Sequence, residues 1–546
     1  MTQLTPTTPR PTIDPPPRSA NRRALARRLQ LPLVFLAIFA LIFLLHLPLL
    51  NLPYYWDEAG YFIPAARDIL LTGDFVPRST LSNAHPPLVM AYLALWWKLF
   101  GFSFTVTRAA MLVVAALTLT GIFHLARRTA NTSVAVATVV CTSLYPVFFA
   151  QSTLAHLDMA AAGLTIWGLN FYLPLASAED EEGGDVEKVK SSNVRRAWCI
   201  VLFALAAMAK ETALLAPLAL FAWEIFCWLV SRKRGTLPTY FLESHSPLRS
   251  FLLLLAALPL ALWLTYHYTR TGYFFGNPDY FRYNVEATLN LNRIFSAAFE
   301  RLWQVLGYMS LYLLTLAAFV AMFFRPRNDA GNERTRIAVA TQLVFAVLIA
   351  AYASALSVVG GAVLARYMLP VVPLVILICV STLWRRVRLW KSIVAVVCVG
   401  FTLALFKYPS HGFPWEDNLA YRDYILLHKE AAGVLSANYK DARVLTAWPA
   451  SDELKTSYLG YTDRPLQTVW LENFSLEKLR AAKENLQFDV ALVYHSNAAV
   501  PDLAPEDAAR VLGGRVVYHK RRDRQWIAIV DLQVQSSSGA KALTQQ

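Results

Sequence analysis

The sequence predicts a helical bundle that crosses a membrane many times, followed by a small C-terminal α/β domain. Three observations support this fold class. Of the 546 residues, 56% are hydrophobic and only 16% are charged, whereas soluble domains average about 25% charged residues. Long apolar runs recur between residues 31 and 406. Beyond residue 407, strand-like runs such as RVLTAWP and FDVALVYH alternate with amphipathic stretches, which is typical of an α/β domain.

The apolar runs set the expected number of membrane helices. A bilayer core of about 30 Å is crossed by roughly 20 apolar residues in helical conformation. Runs of suitable length predict about eleven spans, with the run at 197–209 the shortest. They lie near 31–50, 104–124, 131–150, 159–176, 197–209, 213–230, 250–268, 302–324, 337–357, 367–384 and 390–406.

Basic residues indicate how the bundle is oriented. The net charge of +14 comes largely from short clusters between apolar runs, such as RRALARR, SRKR and WRRVRLWK. These clusters are on alternate loops, so they are expected to set topology and not to bind nucleic acid. The N-terminus is then cytoplasmic and everything beyond residue 407 is extracytoplasmic. The predicted units are a disordered tail (1–30), a transmembrane domain (31–407), an extracytoplasmic α/β domain (408–535) and a second disordered tail (536–546).

The first outer loop, residues 51–103, is longer than a simple connector. The segments EAGYFIPAARDILLTG and HPPLVMAYLALWWKLFG predict two helices lying in the headgroup region, which end at Gly73 and Gly101. The aromatic residues 54–56 at the end of the first span are interpreted as an interfacial belt.

Directly after those aromatics the loop carries two adjacent acids, Asp57 and Glu58. Acids that flank a span commonly face water. Here they are paired, surrounded by aromatics and followed by a further motif. A partly desolvated carboxylate in that position can act as a general base on a hydroxyl or amine.

Other charged residues are predicted to lie at the same face, and each has a simpler explanation. Asp158 would be favoured at a helix N-terminus by the helix dipole. Lys210 would pair with its neighbour Glu211, and Arg366 would extend towards the membrane surface. Their convergence with Asp57 indicates a site for a phosphate-bearing amphiphile and a hydroxylic acceptor. His85, the outer-loop residues Arg270 and Arg282, and Tyr367 complete the candidate set.

The order of these motifs resembles a known superfamily. The DE pair with its interfacial helix is followed by HPPL, AHLDM, AKETALLAPLAL and ARYMLPVVP. This series resembles the GT-C glycosyltransferases, in particular the branch that contains protein O-mannosyltransferases and the lipid A aminoarabinose transferase. The resemblance covers roughly residues 30–405. It implies an integral membrane transferase, of a bacterial inner (plasma) membrane, that moves a hexosyl or pentosyl unit from a polyprenyl phosphate to a lipid, glycan or protein acceptor on the extracytoplasmic face.

The resemblance also implies roles for individual residues. Asp57 falls at the position of the catalytic base, Glu58 at its partner, and Asp158 at the second acid. His85, Lys210 and the Arg366–Tyr367 pair fall at substrate-binding positions. Arg270, in the outer loop, is a further candidate to stabilise the phosphate leaving group. A divalent metal ion is left open as a cofactor. Where the aminoarabinose-transferase branch carries an acid and a lysine before its two prolines, this chain has Ala84 and His85, which is nearer to the O-mannosyltransferase pattern.

Two other functions are considered. A polytopic transporter or lipid flippase would also suit about eleven spans with charges at their ends, but the sequence has no inverted hydropathy repeat. A membrane-anchored receptor would leave the motifs of the first outer loop without a purpose. Nucleotide-sugar use is not expected, because the sequence has no Walker-type or Rossmann-type glycine-rich loop.

Overall fold

The computed structural model describes residues 18–174, 185–234, 247–278, 282, 288–329, 331–359, 361–407, 414–496 and 502–532. The predicted C-terminal disordered tail lies outside these residues, as do residues 1–17 of the N-terminal one. Residues 18–30 were also predicted to be disordered, but the first helix already begins at Arg18.

The membrane part of the chain is helical. Its α-helices are Arg18–His46, Ile63–Thr72, Leu88–Phe100, Phe104–Thr129, Thr132–Leu144, Pro146–Gln151, Leu157–Tyr172, Asp185–Ala209, Leu215–Arg234, Pro247–Phe251, Leu258–Thr271, Leu291–Leu306, Leu311–Ala321, Val339–Val358, Val372–Arg386 and Trp390–Phe406. Short 3₁₀ turns link several of them, at Leu47–Leu49, Glu211–Leu214, Leu252–Ala257, Tyr308–Ser310 and Ala365–Met368. A two-residue hairpin, β1 (Asn328–Asp329) with β2 (Asn332–Glu333), lies in one connection.

In the part of the chain that the structure describes, seven helical segments are long and apolar enough to cross a membrane, and three shorter apolar helices accompany them. The chain is therefore an integral membrane protein. Each predicted span coincides with helix, but several of these helices are short, so the number eleven stays a prediction.

Two predicted spans are interrupted. The span predicted at 131–150 breaks between Leu144 and Pro146, because a proline disfavours helical geometry in the residue before it. The span predicted at 302–324 contains a break within the apolar segment Leu291–Ala321. A helix ends at Leu306, and Met309 and Ser310, with φ of 48° and 68°, turn the chain before the next helix begins.

The helices of the first outer loop are confirmed. The helix Ile63–Thr72 ends at Gly73 and Leu88–Phe100 ends at Gly101, with φ of 76° and 85° at these glycines. Such left-handed values are accessible to glycine at little cost, which explains both ends. The predicted first helix starts with a π-helical turn, Glu58–Phe62.

The small C-terminal sheet domain is present. Its strands are β3 (Arg443–Ala447), β4 (Gln467–Leu471), β5 (Val490–Tyr494), β6 (Arg515–Arg522) and β7 (Gln525–Asp531), in the sheet order β4-β3-β5-β7-β6. Strand β3 runs parallel to both β4 and β5, whereas β7 is antiparallel to β5 and β6. The helices of this domain are Ala420–Asn438, Ala450–Lys455, Leu476–Asn485 and Pro505–Leu512, with 3₁₀ turns at Trp415–Asp417 and Ser457–Leu459.

This domain packs directly on the first outer loop. Tyr54 and Tyr55 are at most 1% exposed. The Tyr461 hydroxyl donates to the Tyr54 carbonyl at 3.0 Å, and the Tyr55 ring meets the Tyr424 ring edge-on at 5.3 Å. The interpretation of Tyr54 and Tyr55 as a lipid-facing aromatic belt is therefore wrong. They form the joint between bundle and domain, which fixes the loop that carries Asp57.

Candidate active site

A cavity of about 490 Å³ lies where the bundle meets the C-terminal domain. Part of its wall comes from the first outer loop and part from the segments around residues 158, 210 and 366. The remainder comes from the C-terminal segment. Six acidic, basic or histidine side chains line it: Asp57, His85, Asp158, Lys210, Arg366 and Glu416. Five of these were candidates from the sequence, so the structure brings most of the predicted set into one cavity.

Asp57 is positioned by an unusual local backbone. The preceding residue, Trp56, has a φ of 46°, which is uncommon for a residue with a bulky side chain. The π-helical turn follows immediately, and such turns are frequent at functional sites. Local strain of this kind costs on the order of 1–3 kcal/mol and persists only where the surroundings hold it. The result is that the Asp57 carboxylate, 21% exposed, points into the cavity.

Arg366 is the hub of the charged wall. It is 4% exposed and pairs with the Asp57 carboxylate. Its guanidinium also lies 3.1 Å from the Glu416 carboxylate and 3.4 Å from the Asp158 carboxylate. A further contact of 2.8 Å joins Nη1 to His156 Nδ1. Three carboxylates from distant parts of the chain are thus held around one permanent cation.

A second cation stands next to this hub. Lys210 Nζ donates to Asp158 Oδ1 at 2.6 Å and lies 3.8 Å from the centre of the Tyr367 ring. Lys210 is 6% exposed, so little water competes for its charge. The simple alternative, a pair with neighbouring Glu211, does not describe the geometry. Asp158 forms ion pairs with both Lys210 and Arg366, so its role goes beyond stabilising a helix end.

His85 enters the cavity from the second half of the outer loop. The residue before it, Ala84, has a positive φ of 60°. Trp56, the residue before Asp57, has a positive φ as well. The Ala84 carbonyl accepts a hydrogen bond from Trp263 Nε1 at 3.0 Å, which holds the strained turn. His85 Nδ1 lies 2.9 Å from Glu211 Oε2. Glu211 therefore orients the imidazole that lines the cavity.

Three predicted site residues, Glu58, Arg270 and Arg282, are not brought into the cavity. Glu58 is fully buried and pairs with Arg108 through both carboxylate oxygens, while the Tyr55 amide donates to it at 2.9 Å. It lies beneath the site and does not face it. Arg270 is half exposed and lies 4.0 Å from Asp74, away from the cavity wall. Arg282, the other outer-loop arginine, does not line the cavity either.

Sequence reasoning missed three residues. Arg108 lies within a predicted span, and a charge in an apolar span is itself a signal of a buried partner. Glu416 lies near the start of the predicted C-terminal domain, where no motif distinguishes it from a surface acid. Burial raises the pKa of Glu416, with Arg366 opposing this effect. Trp448 lines the cavity from the C-terminal domain, and no pattern in its strand-like segment distinguishes it from a core residue.

The residues present do not form an obvious metal site. Among the described residues, no group of three or more His, Cys, Asp or Glu side chains is arranged to hold an ion. The position between Asp57, Asp158 and Glu416 is taken by the Arg366 guanidinium. We therefore derive no step that passes through a metal.

Comparisons with known proteins bear on this architecture. Residues 84–263 match the family model described as dolichyl-phosphate-mannose-protein mannosyltransferase. The fold is similar to that of ArnT from Cupriavidus metallidurans in the apo state, with a TM-score of 0.53 and 15% identity over 93% of this chain and 98% of that chain. The same protein bound to undecaprenyl phosphate gives a TM-score of 0.52 and 16% identity, over 92% and 98%. No curated protein matches the sequence significantly.

Together these observations define the fold of the protein. It is an ArnT-like helical membrane bundle with a C-terminal sheet domain and a charged cavity where the two meet. About a third of the chain matches the mannosyltransferase family model.

Proposed function

We propose that this protein transfers a sugar from a polyprenyl-phosphate donor to an acceptor hydroxyl or amine on the extracytoplasmic face, with Asp57 as the general base. The family model matched by residues 84–263 is named for a lipid-phosphate sugar donor. The ArnT structure that contains undecaprenyl phosphate has the same fold. Both support a lipid-phosphate donor for this chain.

The observation that carries the proposal is the set of residues that line one cavity together with Asp57. Lys210, Arg366 and His85 suit an anionic phosphate. Aromatic rings of the outer loop and of the C-terminal domain line the same cavity. A base in this cavity can serve an acceptor that attacks a phosphate-bound sugar.

The reaction is a displacement at the anomeric carbon. The acceptor oxygen or nitrogen forms a bond to this carbon as the bond from carbon to the phosphate oxygen breaks. Asp57 takes the acceptor proton, and the polyprenyl phosphate leaves with the electron pair. Negative charge grows on the leaving phosphate, so fixed cations in a poorly hydrated cavity stabilise the transition state more than the ground state. Lys210 and Arg366 supply that charge.

Asp158 has a different part in this scheme. It holds Lys210 and Arg366 in place and partly neutralises them before the donor arrives. The Tyr367 ring lies within cation–π distance of the same two cations, 3.8 Å from Lys210 and 5.9 Å from Arg366. We assign Asp158 and Tyr367 to positioning and not to proton transfer.

The test uses purified full-length protein in lipid nanodiscs with radiolabelled polyprenyl-phosphate sugars and candidate acceptors. Wild type should release the lipid phosphate in step with sugar transfer. Asp57→Asn should slow this by about 10²–10⁴-fold, the usual contribution of a general base, with an unchanged unfolding temperature. Asp74→Asn is the matched control, since Asp74 lies in the same loop, pairs with Arg78 and does not line the cavity.

The transporter alternative predicts a different result. Donor lipid would move between leaflets of sealed vesicles, no sugar would leave its phosphate, and Asp57→Asn would have little effect on that movement. Transfer that persists at the wild-type rate in Asp57→Asn would reject the assignment of the base.

A further inference from the structure

The C-terminal domain does more than cover the cavity: it presents the edge of its sheet at which this kind of fold binds ligands. Strands β3 and β5 are parallel neighbours, and β4 lies on the other side of β3. The chain that leaves β3 therefore continues towards β4, and the chain that leaves β5 continues in the opposite direction, towards β6. In open α/β sheets, ligands bind outside the carboxyl ends of strands at such a switch point.

The residues directly beyond these two strand ends line the catalytic cavity. Trp448 follows β3, which ends at Ala447, and Ser496 follows β5, which ends at Tyr494. The Tyr494 hydroxyl donates to the Trp448 carbonyl at 2.8 Å, so one strand end fixes the other. The switch point of the domain thus opens onto the cavity that holds Asp57.

Trp448 is held as a partly exposed flat surface. Its ring packs on Gly60, where an added Cβ would come within 2.9 Å of the indole. Trp56 meets it edge-on at 5.0 Å, and Tyr61 approaches to 6.2 Å between ring centres. All three rings are only partly buried and all three line the cavity. Asp57 adjoins this wall through its chain neighbour Trp56.

The chemistry of this wall points to one class of acceptor. A pyranose or furanose ring offers a face of C–H groups that stacks on an aromatic ring, while its hydroxyls remain at the edge for reaction. A phosphate is not favoured by these three rings, because none of them carries a positive charge. An extended peptide would need unpaired backbone donors and acceptors along an open strand edge, whereas strands β3 and β5 are flanked on both sides by other strands.

We propose that Trp448, with Trp56 and Tyr61, forms an acceptor subsite for a carbohydrate, so that the sugar is passed to a hydroxyl of a glycan or glycolipid. The transfer of sugar to this acceptor rests on the proposed function. The binding of the carbohydrate does not depend on it. Trp448 contacts the acceptor ring and places its hydroxyl at Asp57.

Binding is tested first, without any donor. Full-length protein in nanodiscs is titrated with neutral mannan-, glucan-, galactan- and arabinan-derived oligosaccharides and with serine- and threonine-containing peptides. At least one oligosaccharide should bind wild type, and Trp448→Ala should weaken it by about tenfold, the loss expected for one aromatic stacking contact. Trp448→Phe keeps a ring and should retain most of the affinity.

Trp470→Ala is the matched control, because Trp470 is in the same sheet but 62% exposed and outside the cavity. It should bind oligosaccharide like wild type. Unfolding temperatures identify any variant that fails to fold. If Trp448→Ala does not fold, the oligosaccharide affinity of Trp448→Phe tests the inference instead. Failure of every oligosaccharide to bind wild type, or equal binding by Trp448→Ala and Trp448→Phe, would overturn the inference.

Turnover is then measured with the donor. Trp448→Ala should raise the KM for a carbohydrate acceptor about tenfold and leave the donor KM within about twofold. Transfer to a peptide that depends equally on Trp448 would reject the carbohydrate assignment. If wild type shows no transfer but Trp448 still governs oligosaccharide binding, the proposed function fails and the subsite stands.

Discussion

Two pairs of adjacent acids, Asp57–Glu58 and Glu416–Asp417, meet at the same cavity from opposite ends of the bundle sequence. In each pair the first acid lines the cavity and pairs with Arg366. In each pair the second acid is buried behind it and faces away. Neighbours in sequence thus occupy different environments, because consecutive side chains on a turn point in different directions.

The two buried acids, Glu58 and Asp417, differ in how their negative charge is compensated. Glu58 pairs with Arg108 and accepts further hydrogen bonds from the backbone amides of Tyr55 and Ala155. Asp417 accepts a hydrogen bond from the Tyr308 hydroxyl at 2.7 Å, and its Oδ1 has no hydrogen-bond partner among the described residues. One carboxylate is compensated by a cation. For the other, burial raises the pKa to about 8, so the proton itself removes the charge. A buried acid is thus no indication by itself of a salt bridge.

The largest effect is expected when Arg108, the cation that compensates Glu58, is removed. Arg108→Met leaves Glu58 buried without its partner, and breaking a buried ion pair costs about 3–5 kcal/mol. We expect a large loss of folded protein, measured as the unfolding free energy in mixed detergent and as the yield of monodisperse protein.

The double variant Glu58→Gln with Arg108→Met tests the cause. It should recover part of the loss, because no uncompensated charge remains. Asp57→Asn should by comparison lose turnover with little loss of stability. Equal stability of Arg108→Met and wild type would mean that Glu58 is not charged in the folded protein.

This contrast shows what the sequence could and could not predict. The DE motif was found because it follows an apolar run of twenty residues, but the sequence does not say which acid faces the cavity. That depends on the positive φ of Trp56 and on a π-helical turn. Arg108 and Glu58 are separated by an entire loop, so their pairing follows only from the packing of the outer loop against the helix Phe104–Thr129.

The membrane bundle was more predictable than the site, for a physical reason. Hydrophobic length and helix-terminating glycines act locally, so the helices and the ends at Gly73 and Gly101 could be inferred directly. Glu416 and Trp448 reach the cavity only because the C-terminal domain folds back onto Tyr54 and Tyr55. The sequence gives no measure of such long-range docking.

A smaller effect is expected from the cavity-facing member of the second pair. Glu416→Gln removes one of the three negative charges around Arg366 and keeps the side-chain shape. The cavity becomes less negative and Arg366 less restrained. We expect the donor KM to fall about twofold while kcat falls about tenfold, since a looser Arg366 stabilises the leaving phosphate less well.

Steady-state kinetics with varied donor separates the two effects. Glu430→Gln is the control, because Glu430 is a partly exposed acid of the same domain that pairs with Lys520 and Arg522 at the surface, where ion pairs contribute little. A raised donor KM with unchanged kcat in Glu416→Gln would instead place this acid in donor binding.

The last test concerns Asp417, and the sign of the effect follows from linkage. The pKa is about 8 in the folded protein and about 3.9 in the unfolded chain. The unfolded state therefore loses its proton first, and the stabilising contribution, complete below about pH 4, is lost as the pH rises towards 8. Glu416, Glu300, Arg366 and Tyr308 act on the same carboxyl group. We expect the unfolding temperature of wild type to fall relative to that of Asp417→Asn as the pH rises over this range.

Asp417→Asn should flatten that profile, because an amide accepts the Tyr308 hydrogen bond but carries no charge at any pH. The exposed Asp441→Asn should leave the wild-type slope unchanged. Parallel pH profiles of wild type and Asp417→Asn between pH 5 and 8 would show that Asp417 is ionised in the folded protein. The two pairs would then be alike, each with a charged acid sealed beneath the cavity, and a cation facing Asp417 would have to be sought.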